Sequence, residues 1–292
     1  MWTPKRLKDD PHVPLSSARI ISFSPPAVCS VRNCTTTELR LGIVLPVGCK
    51  VVFQFPSRSI ACKAWNQLPA DPPRGLTGMS YDNTVALSAG TWRHVMFIER
   101  MPQGSAAAAE PMQPFQSRWL MMSNVCKHCE HAGCLESCPT GALFRTEFGT
   151  VVVQQDICNG CGYCVPSCPF AVIQVSEHDG KAHKCTLCYD RMKGGLEPAC
   201  AKACPTDSIQ FGELRDLYER GHRRVVELHR LGVTDAYLYG VPGSPGTQGG
   251  VEGLHAFFLL LGRPETYNLP AAPILPAARV PAGLLRGMAT MA

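Results

Sequence analysis

The stretch Cys158–Phe170, CNGCGYCVPSCPF, places four cysteines within eleven residues and follows the last with Pro169. Two other stretches share its outline. One is CKHCEHAGCLESCP, with Cys126, Cys129, Cys134, Cys138 and Pro139. The other is CTLCYDRMKGGLEPACAKACP, with Cys185, Cys188, Cys200, Cys204 and Pro205. In each, two cysteines stand three apart, a third follows a variable gap, and a fourth comes four later with proline behind it. Together they hold twelve of the 16 cysteines in the 292-residue chain. So many cysteines can signify disulfides, zinc or iron–sulfur clusters. Disulfide scaffolds are mostly short secreted chains. The opening MWTPKRLKDDPHVPLSS has neither an apolar signal core nor a paired-arginine export signal, so no signal peptide is expected.

Spacing decides among the remaining chemistries. The second group matches the bacterial ferredoxin run C-x2-C-x2-C-x3-C-P without deviation. A tight loop with two-residue gaps wraps one face of a cubane, and its fourth cysteine then points to the neighbouring cluster. Gly160 and Gly162 allow backbone amides to approach sulfur. Proline fixes φ after the last ligand and turns the chain away. Zinc ribbons also use C-x2-C, but they need two such pairs per ion and have no use for the third cysteine or the Cys-Pro ending. Exchange of fourth ligands pairs the first two groups. One [4Fe–4S] cluster is expected on Cys126, Cys129, Cys134 and Cys168, and another on Cys158, Cys161, Cys164 and Cys138.

The remainder bounds the class. With 28 basic against 23 acidic residues the net charge is +5, a mild excess that does not point to nucleic acid. The longest aliphatic and aromatic run, Ala256–Leu261, is too short to span a bilayer. ALFRTEFGTVVVQQD predicts a strand, a turn at Glu147–Gly149 and a strand. FAVIQV (170–175) and SIQFG (208–212) predict short strands after their Cys-Pro pairs, so the repeat is structural as well as chemical. TWRHVMFIER and QSRWLMMS alternate like strands around a loop, MPQGSAAAAEPMQPF. Residues 213–231 predict a helix despite Gly221, GVPGSPGTQGG a flexible loop, LHAFFLLL a buried strand, and the chain from Pro270 an extended tail suited to lying along another subunit. Residues 1–46 lack clear periodicity and read as poorly ordered.

The segments between the cysteines carry a family resemblance. ACKAWNQLPAD, LTGMSYDNT, TWRHVMFIER, SNVCKHCEHAGCLESCPTGAL, HKCTLCYDRMKGGLEPACAKACPTDSIQFG and LHAFFLLLGRPETYNLP together resemble the iron–sulfur (beta) subunit of molybdenum- or tungsten-dependent formate dehydrogenases. The resemblance runs from about Gly48 to Leu269. It implies four ferredoxin motifs, four [4Fe–4S] clusters and a molybdopterin catalytic partner. Cys62-Lys-Ala-Trp-Asn66 matches the end of the family's first motif, so Cys62 would join Cys185, Cys188 and Cys200. Val47-Gly-Cys49-Lys50 resembles the part around that motif's second cysteine. However, Pro46 and Val52 stand where the first and third belong, and the linker to Cys62 is longer than the pattern. Divergence, a frameshift, or another ligand loop through Cys29 or Cys34 would each look like this. Cys204 and Cys49 are the expected ligands of the fourth cluster, and Cys29 and Cys34 are read as free thiols.

The implied class is α+β: two ferredoxin-like [4Fe–4S] units with a β insertion and loop-rich termini. The units are 125–180, and 47–66 together with 181–212, the first motif of the latter being degraded. The insertion is 67–124, and 213–292 adds a helix, a strand and the tail. No acid–base pair, nucleophile elbow or phosphate loop is present, so the chain is expected to be non-catalytic. Electrons would come from formate oxidation and leave toward a cytochrome b subunit, a quinone or another carrier. The alternatives are the same wire in a dimethyl sulfoxide, nitrate or polysulfide reductase, a subunit holding three clusters, or a zinc-stabilised interaction protein. The ending VPAGLLRGMATMA is too short and weakly apolar for a membrane helix. Membrane association is therefore expected through partners, on the cytoplasmic side or after export with the catalytic subunit. His128 and His131 are expected beside the ligands or facing solvent. Lys127, Lys184 and Arg191 flank the clusters, either as a solvated surface or as charges that raise a potential. Trp65 and Trp119 read as packing residues, Met121 and Met122 as core or interface.

Overall fold

The computed structural model describes residues 18–23, 36–38, 44–46, 57–70, 86–100, 118–204 and 207–279. The N-terminal half contributes β1 (Ala18–Phe23), β2 (Thr36–Glu38), β3 (Val44–Pro46), α1 (Ser57–Trp65), β4 (Arg93–Arg100) and β5 (Arg118–Val125). The cysteine-rich middle adds α2 (Gly133–Glu136), β6 (Leu143–Arg145), β7 (Val151–Val153), β8 (Gln174–Val175), β9 (Ala182–His183), α3 (Tyr189–Lys193) and α4 (Ala199–Lys202). β10 (Ile209–Glu213), α5 (Leu214–Arg230), β11 (Ala236–Tyr239) and β12 (Ala256–Leu261) complete the order. Helices and strands are mixed, and among the described residues no helix is long and apolar enough to cross a membrane.

The largest sheet runs β10-β1-β12-β11. Every residue of β12, AFFLLL, is buried. A strand covered on both faces reads as a continuous apolar run rather than an alternating one. α5 lays Leu217, Gly221 and Leu228 inward. A β-carbon at Gly221 would stand 3.1 Å from both Leu238 methyl carbons, so glycine here lets the helix lie close to β11. The expectation of a poorly ordered 1–46 is corrected in part. β1 pairs antiparallel with β10 and parallel with β12, and β2 pairs with β3. The strands that pair with β1, β10 and β12, lie far along the chain, which local periodicity cannot register.

β4 and β5 pair antiparallel in register from Arg93–Val125 to Arg100–Arg118. The loop expected between them lies outside the described residues, as do Cys29, Cys34 and Cys49. β6 and β7 form the expected hairpin. FAVIQV is a strand only at Gln174–Val175, because Ala171 takes a left-handed φ of 52° that breaks the extended run. GVPGSPGTQGG is not a floppy loop. The Gly240 N–H donates to the Pro245 carbonyl at 2.8 Å, Ser244 Oγ to the Val241 carbonyl at 2.7 Å and Thr247 Oγ1 to the Ser244 carbonyl at 2.7 Å. The tail does not stay extended through its described part. Leu275 is buried, its N–H donates to the Gly249 carbonyl at 3.0 Å, and a 3-10 turn follows at Ala277–Arg279.

Candidate functional site

The three cysteine loops share a backbone conformation as well as a spacing. The residue before the second cysteine is left-handed in each: His128 at φ 45°, Gly160 at 75° and Leu187 at 55°. Glycine adopts this freely, whereas other residues pay about 1–2 kcal/mol. After each fourth cysteine, the N–H three residues on turns back to that cysteine's carbonyl. The pairs are Gly141 to Cys138 at 3.4 Å, Ala171 to Cys168 at 3.2 Å and Asp207 to Cys204 at 3.5 Å. Those three residues are also left-handed, at 67°, 52° and 51°. The turn aims following amides at sulfur. Cys138 Sγ accepts from the Thr140, Ala142 and Leu143 amides, Cys168 Sγ from Phe170 and Val172, and Cys204 Sγ from Ile209 at 3.4 Å. Proline suits the first step of this turn because it has no N–H to place.

The thiols gather into three sets. Burial pushes Cys129 well above the usual thiol range, and Cys126, Cys168 and Cys134 push it further. Cys126, Cys129, Cys134 and Cys168 line one cavity, with Lys127, His128 and Lys184. Burial raises Cys164 to about 11, and its thiol neighbours are Cys158, Cys161 and Cys138. Burial raises Cys62 to about 12, Cys200 and Cys188 adding to it. Cys185 is raised by burial and then by Cys62. Cys168 therefore stands with the first loop and Cys138 with the second. Cys134 neighbours Cys164, and Cys185 neighbours Cys126, which orders the sets as second, first, third. Cys204 is buried beside Ser208 Oγ at 3.6 Å. Its expected companion Cys49 lies outside the described residues.

Several cations sit among these sulfurs. Lys127 and Lys184 are 1% and 2% exposed, so they are not a solvated face. Lys184 Nζ lies 3.7 Å from Cys126 Sγ and donates to the Val151 and Cys185 carbonyls, joining the first set to the third. Burial opposes its charge, but Cys126, Cys134 and Cys185 outweigh that and its pKa is raised. Lys127 Nζ donates to Asn124 Oδ1 and the Val125 carbonyl and lies over the Phe170 and Phe258 rings. Burial lowers it to about 8. Arg93 is as buried as these two, and the sequence reading missed it, since an arginine in an alternating strand looks solvent-facing. His128 is buried; its Nδ1 accepts from the Val151 N–H at 3.1 Å and its Nε2 has no partner among the described residues. His131 is half exposed and lies 3.1 Å from Glu252.

Distant segments brace the loops. The Ala256 N–H donates to the Lys127 carbonyl at 2.9 Å and the Glu130 N–H to the Gly253 carbonyl at 2.8 Å, so the approach to β12 lies along the first loop. Arg145 donates to the Cys129, Glu130 and Gly149 carbonyls, tying that loop to the β6–β7 hairpin. Just past α1, Asn66 Nδ2 donates to the Cys62 carbonyl at 2.8 Å and reaches Cys62 Sγ at 3.8 Å. Trp65 packs at the surface. It is 43% exposed, donates to Asp190 Oδ2 at 2.8 Å and lies under Arg191, with 4.2 Å from guanidinium carbon to ring centre. Met121 and Met122 are buried in the core.

This donor set suits a large, soft, anionic group. Among the described residues, no three His, Cys, Asp or Glu side chains converge tightly enough to share a single ion. A zinc site needs its ligands about 2.0–2.3 Å from one centre. Among the described residues, sulfurs spread around a cavity, an unpartnered His128 Nε2 and buried cations without carboxylate partners instead match a cubane with cysteine thiolates.

Comparison with known proteins agrees. Residues 117–214 match the model of a 4Fe-4S dicluster domain. The chain is 34% identical over 256 residues to the nitrate-inducible formate dehydrogenase iron-sulfur subunit of Escherichia coli, covering 86% of this chain and 78% of that protein. It is 36% identical over 231 residues to the formate dehydrogenase iron-sulfur subunit of Haemophilus influenzae, covering 78% and 66%. A shorter match, 49% over 90 residues, covers 30% of this chain and 47% of the thiosulfate reductase electron transfer subunit of Salmonella typhi. With its cysteine loops and most of its length accounted for in this way, the chain belongs to the family of formate dehydrogenase iron–sulfur subunits.

Proposed function

We propose that this chain is the non-catalytic wire of a formate dehydrogenase complex. It would take electrons from a molybdopterin-containing catalytic subunit and pass them toward a cytochrome b subunit, a quinone or another carrier. Cys126, Cys129, Cys134 and Cys168 would hold one [4Fe–4S] cluster, Cys158, Cys161, Cys164 and Cys138 a second, and Cys185, Cys188, Cys200 and Cys62 a third. Cys204 would serve a fourth with Cys49. Residues 125–180 act as one ferredoxin-like unit and 47–66 with 181–212 as the other, braced by the 67–124 insertion and by 213–292. Attachment to a membrane runs through partners. When bound, each cluster accepts and releases one electron.

The observation that carries this reading is that Cys168 lines the cavity of Cys126, Cys129 and Cys134 while Cys138 neighbours Cys164, as an exchange of fourth ligands would require. The chain's own residues hold thiolates, donate amides to sulfur and exclude water. Anaerobic purification with the native catalytic subunit tests it. The complex is expected to be brown, to bleach on adding formate, and to hold about 12 irons for three clusters or about 16 for four. A colourless chain containing zinc overturns it. The thiosulfate reductase likeness supports a second reading, the same wire in another oxidoreductase. A brown complex that formate leaves unbleached, but that thiosulfate reoxidises, favours that one.

A further inference from the structure

Arg93 opens β4, directly across from Val125, the residue before Cys126. It is 1% exposed. Its Nη1 donates to Ser123 Oγ at 2.8 Å. Its Nε and Nη2 are buried without a partner among the described residues. A guanidinium stays charged at any ordinary pH, and burying one without an anion is strongly unfavourable. No carboxylate among the described residues lies within ion-pair distance of it. The groups that act on its charge are thiols. Burial opposes its charge, but Cys200, Cys185, Cys62 and Cys188 outweigh that and raise its pKa. α1, which carries Cys62, packs against β4.

From the two unpartnered N–H groups, their burial and the neighbouring third set of thiols, we propose that Arg93 offers Nε–H and Nη2–H to the cluster that Cys62, Cys185, Cys188 and Cys200 would hold and keeps that cluster's reduction potential up. This rests on the cluster assignment above. Reduction adds one negative charge to an already anionic group, and a fixed buried cation with two free donors stabilises the reduced form more than the oxidised one. Serine at 123 fixes the fork by taking Nη1, leaving the other two donors for sulfur. Arg93 is thus a positioning and potential-setting residue, unlike the partly buried Arg191, which lies on Trp65.

Potentiometric titration of the intact complex, followed by electron paramagnetic resonance, tests this. Arg93→Gln is expected to keep its iron and to move one cluster signal to lower potential. The expected shift is at least a tenfold loss in the reduced-to-oxidised ratio, about 59 mV for one electron. The other signals should stay in place, and the signal that moves should be the one altered by Cys62→Ser. If Arg93→Gln loses iron, Arg93→Lys decides. Lysine keeps the charge but not the fork, so a smaller downward shift of the same signal is expected, and a wild-type potential there overturns the proposal. Clusters present but unmoved in Arg93→Gln, or a shift in a signal that Cys62→Ser leaves alone, also overturn it. A wild-type complex without cluster signals would instead sink the underlying assignment.

Discussion

The first and second cysteine loops share a backbone but not an environment. Both place a left-handed residue before the second cysteine and another three residues beyond the fourth. Yet Cys126 is buried, with two inaccessible lysines in its cavity and residues 251–256 laid along its loop. Cys161 is exposed, Tyr163 is 62% exposed and Ile157 43%. Spacing therefore sets what a loop can hold, while segments remote in sequence set how dry and how positive its surroundings are. Dryness and nearby charge are levers on a cluster's potential. One conformation can thus serve an interior station and one open to a partner.

The sharpest way to break that comparison is to cross the loops. Cys168→Ala changes the second loop but should empty the first site, losing about four irons and sparing the resonance signal that Cys161→Ala removes. Iron analysis with paramagnetic resonance reads this, and loss of the wrong signal ends the exchange model. Next comes Lys184→Met. Removing one partner of a buried charge cluster costs about 3–5 kcal/mol, seen as a lower denaturant midpoint. The first cluster should also titrate at lower potential while the exposed second one stays put.

Gly160→Ala probes the loop's shape. An added β-carbon would stand 2.1 Å from the Gly180 carbonyl oxygen, at a φ of 75°. Strain and displacement together should cost about 2–3 kcal/mol, read by denaturant unfolding, with the second site losing iron first. Ala171→Gly should go the other way. Ala171 is exposed and left-handed at 52°. Relief of about 1–2 kcal/mol of strain against about 0.4–1 kcal/mol of added unfolded-state entropy leaves a small gain. A thermal midpoint at or below wild type contradicts the shared-turn account.

Much of this was readable along the chain. The β6–β7 hairpin, the β4 and β5 strands, α5 and β12 all carry local signals, and the structure has them. The shared left-handed positions were half legible. Gly160 and Gly141 announce themselves, but His128, Leu187, Ala171 and Asp207 adopt the same geometry under a different residue. There the ligand spacing, not the side chain, imposes the turn. Ser-Pro-Gly-Thr around 244–247 looked loose because its composition is that of a linker, but the bonds that close it come from carbonyls and hydroxyls no composition reveals.

The set of thiols and the local path between them can be read along the chain alone, because a tight ligand loop is held by neighbours a few residues apart. Where charge is buried emerges only once the chain is folded. Lys127 and Lys184 look like any basic residues beside a cysteine, and Arg93 like the outward position of an alternating strand. Each is inaccessible because β4, β5 and the residues before β12 converge on the same sulfurs. Burial is a property of which distant segments share a space, and no window along the chain contains them all.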